Sequence, residues 1–312
     1  MTAPDPAHLV YVHLQTILER LPGVFDADID SVHQARIATR RLREVLPLVE
    51  RVNPDSSRAA EIVRDAGRAL GRVRELDVMK GMLDNSFDRA PAAAVAVARA
   101  RRAVQRQQTD ARRSMVKTLE GLDLPHLNRL LNSPRRFAMW PHRADVGAWR
   151  SSLRQRIATR AEDMAEAVRH ATGVYLPNRS HGARIAVKKL RYAVEAAQDT
   201  TLWRPPLLLK HLRRIQNTLG EIHDLQILID RIDDLVTDPV ARAELPSLID
   251  ALQDDLASRH REYVARRERL FAIARACEQF AKRGGPARLR RPVIAASAAA
   301  LPLLFLGRRR IA

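Results

Sequence analysis

His33 and His181 each head a run of regularly spaced cations. The segment His33-Gln34-Ala35-Arg36-Ile37-Ala38-Thr39-Arg40-Arg41-Leu42-Arg43 returns 148 positions later as His181-Gly182-Ala183-Arg184-Ile185-Ala186-Val187-Lys188-Lys189-Leu190-Arg191. Seven of the eleven positions are identical and two more exchange Arg for Lys. Guanidinium groups match phosphate oxygens with a planar fork and keep their proton, so this pattern suits the binding of anions.

Helical projection sorts these cations. At 100° per residue, Arg36, Arg40 and Arg43 fall within about 80° of His33. Ala35, Leu42, Val45, Leu46 and Val49 lie on the opposite side and read as core. The second copy aligns His181, Arg184, Lys188 and Arg191, backed by Ala183, Ala186, Leu190 and Val194. Tyr192 borders that stripe and offers a hydroxyl. Arg41 and Lys189 point elsewhere and are the weaker candidates. Like charges at i,i+3 and i,i+4 cost a few tenths of a kcal/mol each. Ordinary solvated faces mix signs, so several one-sign stripes favour an anionic ligand. The same cations lower the pKa of the neighbouring imidazoles. A bound polyanion reverses that, so binding is expected to tighten as pH falls.

A second helix in each half extends the pattern. Leu70-Gly71-Arg72-Val73-Arg74-Glu75-Leu76 aligns with Leu219-Gly220-Glu221-Ile222-His223-Asp224-Leu225, an offset of 149. Arg64, Arg68, Gly71 and Arg74 share one face, and Arg213, Asn217, Gly220 and His223 are their counterparts. A mid-helix glycine costs roughly 1 kcal/mol relative to alanine. Two at matching places imply close approach of either a ligand or a neighbouring helix. A further stripe, Arg99, Arg102, Arg106, Arg113 and Lys117, lies within about 60° on one helix. Its nearest equivalents in the second half are Arg259, Tyr263 and Arg266.

The elements that must carry these residues are helices. Helical signals run through 7–21, 30–52, 57–84, 90–120 and 124–139, then 146–172, 180–199, 205–236 and 240–282. Pro134, Pro141 and Gly147 mark the break between the sets. Ser31 and Ser180 are candidate N-caps for the two histidine helices. The expected fold is all-α, with two pseudo-symmetric helical bundles from an internal duplication. The bundles are placed at 1–141 and 142–285, followed by a tail at 286–312.

Composition agrees with both readings. Of 54 Lys and Arg residues only six are lysine, and the formal net charge is +18. Self-repulsion of that size favours a polyanionic partner. Genomic bias explains Arg over Lys but not the excess of cations. Aromatics make up 4% of the chain, so Leu, Ala, Val and Ile must fill the core. The single cysteine, Cys277, excludes a disulfide framework and a multi-cysteine zinc site. The start of the chain shows no secretory signal, so a cytoplasmic location is expected.

The pattern His-x-x-Arg-x-x-x-(Arg/Lys)-(Arg/Lys)-Leu-Arg, on two helices of a duplicated chain, resembles the CHAD domain, the conserved histidine α-helical domain. The segments at 70–77 and 219–225 resemble its second-helix motif, and the likeness spans roughly 7–282. It implies two basic helical bundles that bind inorganic polyphosphate, with recruitment to polyphosphate granules. The positions it carries over are His33, Arg36, Arg40, Arg41 and Arg43, then His181, Arg184, Lys188, Lys189, Arg191 and Tyr192. Some relatives add a triphosphate tunnel enzyme with acidic strands. No such segment occurs here, so no catalytic activity and no cofactor are expected.

Polyphosphate is a chain of charges without bases, for which dense cation tracks suffice. Single-stranded nucleic-acid binders interleave aromatic platforms, and these stripes contain none. General DNA or RNA backbone binding remains the alternative. A phosphate-processing enzyme is a third reading, since Ser180-His181-Gly182-Ala183-Arg184 distantly resembles a histidine-phosphatase motif. That chemistry needs its histidine at a strand-to-loop edge, not inside a helix. The tail segment Val293–Leu306 is apolar, flanked by arginines and short for a membrane span. It is expected to pack on the bundles, to be disordered, or to contact a membrane surface or a partner.

Overall fold

The protein, seen in a computed structural model that describes residues 6–49, 56–131 and 143–283, is all α-helical, with no strand among the described residues. Helices α1 (Pro6–Phe25), α2 (Ile29–Val49), α3 (Ser56–Arg89), α4 (Ala94–Glu120) and α5 (Leu124–Leu131) form the first set. A short 3-10 turn, Pro91–Ala93, precedes α4. The second set comprises α6 (Arg143–Ala171), α7 (Pro177–Asp199), α8 (Pro206–Leu235), α9 (Pro239–Ala243), α10 (Leu245–Val264) and α11 (Arg267–Lys282). The tail at 286–312, with its apolar segment 293–306, lies outside the described residues, as do Pro134 and Pro141. No helix among the described residues is long and apolar enough to cross a membrane.

Helix starts differ from the sequence reading at both histidine helices. Ser180 is not the cap of α7. That helix begins three residues earlier at Pro177, whose fixed φ suits a first helical turn. The Ser180 amide already donates to the Leu176 carbonyl at 3.0 Å. Ser31 likewise sits inside α2, and Asp28 takes the capping role by accepting from the Ser31 amide at 2.8 Å. Gly147 is helical within α6 rather than part of a break. The expected single helix at 240–282 is three helices. The turn at Ala265–Arg266 lets α10 stay against α8 while α11 crosses to α6.

Consecutive helices pack as neighbours: α1 on α2, α2 on α3, α3 on α4, then α6 on α7, α7 on α8 and α8 on α10. The two sets meet where α2 touches α7 and α3 touches α8. Two apolar cores result, and each draws side chains from both sides of residue 142. One joins α1 and the later part of α2 to α6, α7, the first half of α8 and α11. The other joins α3 and α4 to the second half of α8, α9 and α10. Burial of Leu42, Leu46, Leu190 and Val194 fixes the rotation of α2 and α7 about their axes. That rotation aims the opposite faces of both helices, with their cations, at the seam.

Candidate functional site

Helices α2 and α7 supply the first cations of the seam. Arg36 and Arg40 on α2 and Arg184 and Lys188 on α7 are all half-buried. Among the described residues, none of these four forms an ion pair with a carboxylate. They act on one another instead. Burial, followed by Arg40 and Arg184, lowers the Arg36 guanidinium to about 10. Burial, then Arg40, Arg184, Arg36 and Arg43, lowers the Lys188 ammonium to about 7. Arg184 is lowered by burial and by Arg40, against the opposing pull of Asp224. Positive charge is in excess at the edge of a core, an unfavourable arrangement without an anion.

The histidines close the ends of this cluster. His33 on α2 lies near Arg74 of α3, and His181 on α7 lies against His223 of α8. Burial, then Arg74, Arg36 and Arg40, holds the His33 imidazole below its usual range. The Nδ1 atoms of His181 and His223 are 3.4 Å apart, with ring centroids at 4.7 Å. His181 is lowered by burial, Arg184 and Lys188. His223 falls to about 4 through burial, Arg184, His181 and Lys188. Burial and the surrounding cations therefore push both neighbouring imidazoles toward the neutral form.

A second group of cations is treated differently. Arg41, Arg191 and Arg213 all converge on Glu195, which is only 3% exposed. Arg213 approaches its carboxylate at 3.1 Å, and Arg41 and Arg191 at 3.7 Å. Arg191 also stacks over the Tyr192 ring at 4.6 Å. Tyr192 itself is buried, and its hydroxyl is felt by both Arg36 and Arg184. Glu195 thus ties α2, α7 and α8 together.

The remaining candidates occupy the margins. Arg43 is exposed and electrostatically coupled to Lys188. Lys189 is half-buried, and Arg64 is exposed. Arg68 is exposed and paired with Asp65 on its own helix. On α4, Arg106 is exposed, Arg113 pairs with Asp110 at 3.4 Å, and Arg99 pairs with Asp238 at 3.4 Å. Arg259, the loose counterpart in the second half, is surrounded by Glu221, Asp255 and Glu262. Arg266 contacts Glu262 and Thr218, and Tyr263 is buried.

Both matching glycines face open space. A Cβ at Gly220 meets nothing within 4 Å, and one at Gly71 meets only Arg36 Nε at 3.9 Å. Close packing of a neighbouring helix therefore does not account for them. Two acidic residues that spacing does not reveal also shape the site. Glu195 is one. The other is Asp224, raised by burial against the opposing pull of Arg184, Arg36 and Arg74. Cys277 is buried, with its thiol pushed up to about 12, mainly by burial.

The fold and site define an all-α protein whose paired histidine helices share one cationic seam. Residues 9–233 match the CHAD domain family, and the chain belongs to that family. The match ends within α8, and α9–α11 continue the helical packing beyond it. The structure is similar to the CHAD domain from the plant Ricinus communis, at 20% sequence identity and a TM-score of 0.63, covering 86% of this chain and 90% of that one. It is also similar to PptA from Streptomyces chartreusis, at 17% identity and a TM-score of 0.55, covering 89% and 98% respectively. At these identities the likeness concerns the fold. No curated protein matches the sequence significantly.

Proposed function

We propose that this chain binds inorganic polyphosphate without catalysis, along the seam between α2 and α7, and is recruited by it to polyphosphate granules in the cytoplasm. The observation that carries the reading is the unpaired set Arg36, Arg40, Arg184 and Lys188. Four half-buried cations from two helices repel one another, none of them forms an ion pair with a carboxylate among the described residues, and Asp224 offsets them only in part. A linear chain of phosphates relieves that repulsion and accepts their hydrogen bonds. Charge-assisted hydrogen bonds contribute about 1.5–3 kcal/mol each, so a few suffice for tight binding. Open backbone at Gly71 and Gly220 lets the chain lie close to α3 and α8. His33, His181 and His223 gain protons as the anion arrives, because negative charge favours the imidazolium.

Competition tests the reading. Long-chain polyphosphate should bind with a steep salt dependence, through counterion release. Single-stranded RNA and duplex DNA at equal phosphate concentration should fail to displace it. Displacement by either would favour a general nucleic-acid backbone binder instead. Release of orthophosphate by purified protein would overturn the non-catalytic part, and a fluorescent fusion that ignores polyphosphate granules would overturn recruitment.

A further inference from the structure

The cationic seam changes character at one end. Beyond His181 and His223 lies a cavity of about 220 Å³ between the start of α7 and the second half of α8. Tyr175, Asn178, Ser180, Gln226 and Asp230 contribute its polar lining, with Leu219, Ile222 and Ile227 as apolar wall. Only the two imidazoles belong to both regions. Among the described residues no arginine or lysine lines the cavity, and Asp230 brings a carboxylate to it. A phosphate group is therefore a poor occupant. A flat, uncharged group with an apolar face and hydrogen-bond donors on its edge is a good one.

The polar lining is organised as acceptors. The Tyr175 hydroxyl donates to Gln226 Oε1 at 3.0 Å, and Gln226 Nε2 donates to Asp230 Oδ1 at 2.7 Å. That relay uses up the donors of Tyr175 and one amide hydrogen of Gln226. It leaves oxygen lone pairs of Tyr175 and Asp230 available. Ser180 adds a second, independent observation. It is 5% exposed, lines the cavity, and its Oγ has no hydrogen-bond partner. Buried hydroxyls are nearly always satisfied, and an orphan costs about 1–3 kcal/mol. The first half lacks this arrangement. Val32 stands where Ser180 does, and Asp77, at the place of Gln226, is engaged by Gln108 and Arg112.

We propose that this cavity is a nucleobase pocket, and that the protein takes nucleoside oligophosphates with the base beside Ser180 and the phosphates on Arg184 and Lys188. Arg184 and Lys188 follow His181 by about one and two helical turns, roughly 4.5 and 10.5 Å along the axis. An oligophosphate leaving the cavity past the two imidazoles thus runs directly onto the seam. Adenine, guanine and cytosine carry exocyclic amino donors that fit an acceptor-rich edge, whereas uracil presents carbonyl acceptors there. The apolar wall supports one ring face, as in pockets that accept an extruded base. The proposal rests on the seam as an anion track, but concerns a ligand end that polyphosphate lacks.

Binding of ATP, GTP, UTP and inorganic tripolyphosphate, measured beside long-chain polyphosphate, tests it. ATP or GTP should bind at least about tenfold more tightly than tripolyphosphate, which carries the same chain without a base, and UTP should fall behind both. Ser180→Ala should leave folding and tripolyphosphate affinity unchanged, since it removes an unsatisfied hydroxyl, yet lower ATP or GTP affinity about fivefold to tenfold. Gln226→Ala should do the same by breaking the relay. ATP and GTP binding no better than tripolyphosphate would overturn the pocket, as would a Ser180→Ala protein with full nucleotide affinity. Long-chain polyphosphate keeps the two readings apart. If it binds while the nucleotides gain nothing from their bases, only the pocket fails. If it does not bind while ATP or GTP does, only the polymer reading fails.

Discussion

Arg40 and Arg41 are adjacent in sequence and opposite in circumstance. Arg41 turns toward Glu195, which Arg191 and Arg213 also approach. Arg40 faces Arg36, Arg184 and Lys188, with no carboxylate paired to any of the four among the described residues. One cation set is anchored from within by a shared buried carboxylate and closes the join between α2, α7 and α8. The other is left charged beside a core, where the proposed function puts an anion. The difference separates architecture from binding within a single motif, and it makes the two sets respond oppositely to mutation.

The largest effect should come from the set gathered on Glu195. Glu195→Gln leaves three guanidinium groups around a site without its charge, and breaking such a buried cluster costs about 3 kcal/mol. Chemical denaturation should show that loss, while polyphosphate affinity holds or rises because three cations are released. A collapse of affinity in a protein that still folds would break the distinction. Lys188→Met should act the other way. It removes a repelled cation, so the free protein should melt at a higher temperature. It also removes a contact to the anion, so affinity should drop about tenfold, equivalent to roughly 1.4 kcal/mol.

Gly220→Ala sharpens the comparison from the backbone side. Nothing within 4 Å obstructs the new Cβ, so helix propensity should raise stability by up to about 1 kcal/mol. Calorimetry should record that gain together with weaker polyphosphate binding, because the methyl group holds the chain off α8. The pH dependence is the smallest effect. The free-protein pKa of Lys188 is about 7 and that of His223 about 4, and His33 and His181 are also lowered. A bound anion raises all four. Affinity is therefore highest at low pH and falls as pH climbs from each free value to its bound value. For Lys188 that window opens near 7. Titrations between pH 6 and 9 should show a several-fold decline with proton uptake on binding. A flat profile without proton uptake would contradict the sign.

Much of the seam was legible in the sequence, because helical periodicity is a local property. Projection put Arg36 and Arg40 on the face of His33 and turned Arg41 away, as the structure does. It also put Arg191 in line with His181, and there local geometry was insufficient. Arg191 is drawn to Glu195, which lies one turn further along the same helix and is buried only because α2 and α8 close over it. Convergence of three helices on one carboxylate has no signature in spacing. Arg74 and His223 show a related limit, since matched positions carry different chemistry and only contact reveals that His223 meets His181. Ser180 was readable as a cap by residue type alone. Pro177, at the first helical position, was the signal that the helix starts earlier and that Ser180 turns inward.

Two charge-removing variants compared side by side test the central claim most directly. One carries Arg36→Gln, Arg40→Gln, Arg184→Gln and Lys188→Gln, and the other Arg41→Gln, Arg191→Gln and Arg213→Gln. Long-chain polyphosphate binding at fixed salt and pH is the readout, with thermal unfolding measured alongside. The first variant should lose affinity by at least about a thousandfold, given four charge-assisted contacts, while melting no lower than the parent. The second should melt well below the parent yet keep affinity within about tenfold wherever it is folded. The reverse pattern, with binding lost in the second variant and kept in the first, would contradict the account.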